Sequence, residues 1–154
     1  MENKRKFEVA NGFENSEIHL PERKTKFSAG YDIEAAEDCT ILPHKSGDKP
    51  ALVKTGLKVA MNDDEYLMLC NRSSNPFKKG LVLANSIGVI DADYYGNSDN
   101  DGHIMYAFYN FFDKELKIKK GDIIGQAIFS KYYIAESDVA EAQREGGFGS
   151  TSTN

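Results

Sequence analysis

Several short stretches of this chain carry side chains suited to acting on an anion. In residues 71–75 (NRSSN) a guanidinium and two hydroxyls follow directly on an apolar run. Arg72, Ser73 and Ser74 can offer a set of donors to one phosphate, although a turn with a surface arginine has the same composition. In residues 85–96 (NSIGVIDADYYG) apolar Val89 and Ile90 run into Asp91-Ala92-Asp93 and then Tyr94-Tyr95. Turn aspartates commonly cap backbone amides, whereas a carboxylate beside a water molecule can act as a base. Two tyrosines there exceed what a chain reversal needs. Gln126 lies inside the apolar run 123–129 (IIGQAIF), where a buried amide must bond either backbone or a ligand. Asp32, in AGYDIEAAE (29–37), stands at a strand start, most simply as a structural residue. The chain closes on REGGFGSTSTN, with one ring, Phe148, and no aliphatic side chain after Arg144. Such a segment cannot order itself by burial. Its arginine, amides, hydroxyls and ring can nonetheless close over an anionic aromatic ligand.

Strands must position these residues. Leu57, Val59 and Met61 alternate with Lys58 and Ala60, the period of a half-buried strand. Residues 65–70 (EYLMLC) and 123–129 have the length and apolarity of buried strands. Residues 104–112 (IMYAFYNFF) are apolar on both alternate faces, which predicts a strand buried twice over or at a subunit interface. Short strands at roughly ten-residue spacing, separated by Gly, Pro, Asn and Asp, predict an all-β barrel or sandwich. The acidic segment is expected as strand, tight turn, strand. Residues 137–144 (SDVAEAQR) are the one helix-like stretch, with an Asp138–Glu141 pair resembling a capping box, but they are short and polar. From Ala135 onward the composition is that of a polar arm, so a body of 1–134 and an arm of 135–154 are expected.

The chain has 154 residues, enough for one domain, of which 40% are hydrophobic and 28% charged. A net charge of -5 disfavours broad binding to nucleic acid or an anionic membrane, so an anion must be held locally. The basic clusters are interleaved with acids and read as solvated surface. No signal peptide or membrane span is visible. Cys39 and Cys70 stand alone, which suits a reducing cytoplasm.

Taken in order, AGYDIEAAED, NRSSN, NSIGVIDADYYG, GDIIGQAIF and REGGFGSTS resemble the five ordered motifs of the trimeric deoxyuridine triphosphatase (dUTPase) family, over 29–152. The resemblance implies a jelly-roll-like β-barrel, a homotrimer with active sites at subunit interfaces, and an arm that closes over each site. It implies Mg²⁺-dependent hydrolysis of dUTP to dUMP and pyrophosphate by water attack at the α-phosphorus, limiting dUTP and supplying dUMP for thymidylate synthesis. Asp91 matches the aspartate that orients and deprotonates the water. Tyr94 matches the tyrosine that packs on the deoxyribose and excludes a 2′-hydroxyl. Asn85 and the strand 87–91 match the uracil-reading segment. Arg72, Ser73 and Gln126, with Arg144, Ser150 and Thr151 from the arm, match phosphate ligands. Phe148 matches the ring stacked on uracil, and Asp32 the carboxylate that reaches Mg²⁺ through coordinated water.

Two departures stand out. Only Glu145 separates Arg144 from Gly146-Gly147, where many members have two residues, and the glycine-rich motif ends GSTS rather than GSTG. Residues 97–102 (NSDNDG) lengthen the segment after the third motif and are assigned no role. His19, His44 and His103 match no motif. Two alternatives within the fold are a dCTP deaminase and a regulatory trimer without turnover; a protein regulator is a further expected partner if the chain is phage-encoded. The intact Asp91/Tyr94 set argues for the hydrolase.

Overall fold

In the computed structural model, residues 3–147 are described. Their order is β1 (Lys6–Val9), β2 (Tyr31–Glu34), β3 (Cys39–Ile41), β4 (Ala51–Lys54), β5 (Leu57–Ala60) and β6 (Glu65–Asn71). There follow α1 (Asn75–Lys79), β7 (Leu81–Leu83), β8 (Gly88–Asp91), a 3₁₀ turn (Ala92–Tyr94), β9 (Met105–Asn110), β10 (Leu116–Ile118) and β11 (Ile123–Lys131). The strands form a four-stranded sheet, β2-β11-β6-β8, a three-stranded sheet, β4-β9-β7, and the pairs β1–β5 and β3–β10. Every pairing between these strands is antiparallel. The result is all-β, as the patterning predicts, and is the jelly-roll-like barrel that the family resemblance implies.

Alternation explains the core. Along β6, Leu67 and Leu69 are buried while Tyr66, Met68 and Cys70 are half-buried. Their inward neighbours, Ala127 on β11 and Ile33 on β2, meet Tyr106 and Phe108 from β9 in one apolar cluster. Tyr106 brings a hydroxyl inside and donates it to the Gln126 carbonyl at 2.7 Å, tying the two larger sheets together. Burial pushes its phenol well above the usual range. Gly125 leaves room for that ring, since a Cβ there would lie 2.3 Å from Tyr106 Cε1.

Three local expectations differ from the structure. The acidic segment is no tight hairpin: β8 pairs with β6 whereas β9 pairs with β4 and β7, so the 3₁₀ turn and residues 95–104 carry the chain between sheets. The one α-helix among the described residues is α1, only five residues long, started by Pro76 and ended by Gly80 at φ +64°. Its brevity hides the 3.6-residue period. Residues 137–144 form no helix; Asp138 Oδ1 accepts the Ala140 amide at 3.2 Å, a local turn that competes with helix formation. The two-faced strand 104–112 is realised over β9 alone. Tyr106, Phe108 and Asn110 point inward, and Met105, Ala107 and Tyr109 remain half-buried outside. Leu52, Phe111 and Phe112 are exposed.

Candidate functional site

The partly exposed face of the four-stranded sheet carries most of the candidates. Gln126 on β11 stands directly opposite Asp32 on β2 and Cys70 on β6. Arg72 follows two residues after Cys70, just past the last residue of β6, and its guanidinium reaches back to the backbone of β11. Sequence-distant residues are thus brought together by register alone. The Gln126 side chain folds over Gly30: a Cβ there would meet Gln126 Oε1 at 2.3 Å. Among the described residues its Nε2 makes only a long contact, 3.4 Å, to the Asn71 carbonyl. Arg72 likewise makes one long bond there, from Nη1 to the Ile123 carbonyl at 3.4 Å. Both groups are weakly engaged by the described residues and have donors to give. Ser73 is exposed at the turn leading into α1. Asp32 Oδ2 lies 3.8 Å from Lys24 Nζ. This corner can receive a polyanion.

The acidic end lies at the other end of β6. Asp91 closes β8 opposite Tyr66, on the same face as Met68 and Cys70. Asp91 and Asp93 are both exposed. Between them and the loop, Tyr94 is buried; its hydroxyl donates to the His103 carbonyl at 2.9 Å and accepts from Asn100 Nδ2 at 2.8 Å. Burial raises its phenol pKa, so it stays a neutral donor. Asn85 is exposed in the turn before β8, where Ser86 takes a left-handed φ of +62°.

The arm reaches this end on its own chain. Arg144 Nη2 donates to Asp91 Oδ2 at 2.6 Å and Nε to Asp93 Oδ1 at 2.8 Å. The guanidinium carbon sits 5.9 Å from the Tyr94 ring centre. Its side chain is 13% exposed, against 52% and 58% for the two carboxylates. The hydrogen bond to Asp93 holds the guanidinium's proton still more firmly than usual. Ser98 Oγ donates to the Glu145 carbonyl at 2.6 Å, and the Gly147 amide to Asp99 Oδ2 at 3.2 Å. Phe148, Ser150 and Thr151 lie outside the described residues. Residues 97–102, assigned no role from sequence, thus hold both Tyr94 and the arm. Their Asn/Asp/Gly composition signals side-chain-capped turns, the only cue that they are built to bond.

A family model described as dUTPase matches residues 16–152. The deoxyuridine 5′-triphosphate nucleotidohydrolase of Lactococcus lactis is 48% identical over 149 residues, covering 96% of this chain and 97% of the relative. A crystal structure of dUTPase from Streptococcus mutans superposes with a TM-score of 0.78 at 40% identity, covering 85% of this chain and 98% of that one. A dUTPase mutant from phage phi11 of S. aureus, studied for a structural Mg(II) ion, shares the fold with a TM-score of 0.70 at 22% identity, over 91% of this chain and 98% of its own. The register that gathers Asp32, Gln126 and Arg72, and the acidic strand end that bears Asp91 and Tyr94, are thus parts of a dUTPase-family chain.

Proposed function

We propose that the chain hydrolyses dUTP to dUMP and pyrophosphate, with each active site assembled across the subunits of a homotrimer. One observation carries the assembly. Asp91 pairs with Tyr66 near the start of β6, whereas Arg72 lies beyond its end. At the rise of a strand, six residues put their backbones roughly 20 Å apart. A carboxylate and a guanidinium so separated cannot meet over one phosphorus, so a neighbouring chain must bring its acidic end to this chain's phosphate corner. The half-buried outer face of β9, with exposed Leu52, Phe111 and Phe112 nearby, supplies apolar surface for such a contact.

In this reading Arg72, Ser73 and Gln126 hold phosphate oxygens, with Arg144, Ser150 and Thr151 added by the arm, while Phe148 stacks on the base. Asp91 orients the attacking water and accepts its proton. Tyr94 fills the space a 2′-hydroxyl would need, and Asn85 with the backbone of 87–91 reads uracil. A base with donors and acceptors exchanged leaves buried partners unpaired, which can discriminate by ~10⁴–10⁵. Asp32 is the carboxylate that would hold Mg²⁺ through water. No group of three His, Cys, Asp or Glu able to hold a metal occurs among the described residues, and a single carboxylate suits an ion bound mainly by phosphate and water. When bound, Mg²⁺ would neutralise charge on the phosphates. Arg144 must exchange Asp91 and Asp93 for phosphate. Pairs with carboxylates this exposed are worth only about 1 kcal/mol, so the exchange is cheap and frees Asp91 for the water. No helix among the described residues is long and apolar enough to cross a membrane. Free Cys39 and Cys70 suit a cytoplasmic enzyme.

Pyrophosphate release from dUTP, UTP, dTTP and dCTP, with and without EDTA, tests the reading. Release from dUTP alone, lost on chelation, is expected; ammonia from dCTP would instead reveal a deaminase, and no turnover of any nucleotide a binding protein.

A further inference from the structure

The sugar-facing tyrosine is held by a residue outside all five motifs. Tyr94 Oη accepts a hydrogen bond from Asn100 Nδ2 and donates one to the His103 carbonyl. The direction of these two bonds is forced. Asn100 Oδ1 already accepts from Asn97 Nδ2 at 2.9 Å and from the Gly102 amide at 3.1 Å. Its amide nitrogen is therefore the atom that faces Tyr94, and a hydroxyl that accepts there must donate elsewhere. Asn97 sets Asn100 in place: its Oδ1 accepts the amides of Asp99 and Asn100, and its Nδ2 also bonds the Tyr94 carbonyl at 2.8 Å. The loop is tied back to the strand end by the Gly96 amide, which donates to the Asp101 carbonyl at 3.1 Å, and Gly102 packs on the backbone of residues 94–96. A Cβ there would come within 2.8 Å of the Tyr94 carbonyl oxygen. The ring is thus fixed at its root by the backbone and at its tip by two opposed hydrogen bonds.

We propose that Asn100 is a positioning residue for sugar selectivity, fixing the Tyr94 ring so that it cannot retreat before a ribonucleotide. The proposal rests on the dUTP reading and extends it. Exclusion by a ring depends on the ring's inability to move. A tyrosine tethered only at His103 can pivot about that single bond, and a shift of part of an ångström admits a hydroxyl. The base, the phosphates and the attacking water are served by other residues, so loss of Asn100 acts on UTP far more than on dUTP.

Two variants test this. Asn100→Ala removes the donor, and Asn100→Asp keeps the volume while presenting an acceptor that competes with His103 for the tyrosine's proton. For both, the ratio of kcat/KM for dUTP to that for UTP is expected to fall about tenfold, the scale of one net hydrogen bond. The fall comes from a gain on UTP, with kcat on dUTP held within about twofold. Thermal melting checks that each variant is folded; because Asp is isosteric, it leaves no cavity if Ala unfolds the loop. An unchanged ratio, or an equal loss on both nucleotides, overturns the proposal, since the latter is what a merely structural loop residue would give. Failure of the wild-type protein to act on dUTP would sink the functional reading instead, before either variant is compared.

Discussion

The two ends of one sheet face are built in opposite ways. At the phosphate corner, Asp32, Gln126 and Cys70 stand opposite one another because β2, β11 and β6 pair in register, with Arg72 two residues further on. Backbone hydrogen bonds place them, and their side chains stay weakly engaged. At the acidic end, a 3₁₀ turn and the loop 95–104 leave the sheet, and side-chain hydrogen bonds from Asn97, Ser98, Asp99 and Asn100 position Tyr94 and the arm. The backbone placement of a strand row survives single substitutions, so a change there removes one side chain's function and leaves its neighbours in place. A polar loop network fails piece by piece, each piece with its own consequence. The difference predicts where activity is lost outright and where it is retuned.

The largest effect is expected at the carboxylate. Asp91→Asn keeps the shape and the strand pairing but removes the proposed base, so kcat should fall about 10³-fold, within the range for acid–base groups, while dUTP still binds. Wild-type-like turnover would reassign the base. Arg72→Ala should also be nearly inactive, through lost phosphate contact. Mixing the two dead variants and refolding them together then breaks or sharpens the comparison. If the two ends meet only across subunits, random assembly yields intact sites from one good copy of each, and about a quarter of the wild-type rate returns. If they meet within a chain, every site carries one defect and nothing returns.

The arm comes next. Removing residues 144–154 should lower kcat/KM about a hundredfold yet leave the melting transition in place, because in the proposed site the arm contributes ligands and water exclusion rather than core. Unfolding of that truncated chain would show instead that the contacts of Arg144 with Asp91 and Asp93 belong to the fold.

The contrast between the ends also explains how far the residues alone could be read. Register follows from alternation: Leu67 and Leu69 must face inward, so Met68 and Cys70 face out, and the strand patterns of β5, β6 and β11 carry that information locally. The route out of β8 does not. Whether DADYY makes a hairpin or a 3₁₀ turn is decided by His103, nine residues on, whose carbonyl takes the Tyr94 hydroxyl, and by β9 pairing with strands of another sheet. Neither partner has a periodic signature. Asn97 and Asn100 escaped for a related reason, since a polar loop that bonds inward has the same composition as one that only meets water. The type of Arg144 alone marks it as an anion ligand. That it rests on Asp91 and Asp93 meanwhile follows from the arm's path on its own chain, which no local pattern encodes.

The smallest effects come from two glycines beside Tyr94 that are constrained by different physics. Gly96 has φ +67° and, among the described residues, nothing within 4 Å of a Cβ built on it, so its backbone is what requires glycine. Gly96→Ala should therefore cost about 1 kcal/mol of stability, read as a lower melting temperature, with little change in kcat/KM. Gly147 is the reverse. Its backbone lies outside the left-handed region, but a Cβ would sit 2.8 Å from Tyr94 Cε2 and 3.6 Å from Asn100 Nδ2. The arm, irregular and held here by two hydrogen bonds, is what must give way. Gly147→Ala should leave the melting temperature unchanged and lower kcat/KM for dUTP several-fold, about the loss of one arm contact. An effect on stability at Gly147, or on turnover at Gly96, would mean that Gly147 does not keep its place beside Tyr94 once Arg144 has exchanged Asp91 and Asp93 for phosphate.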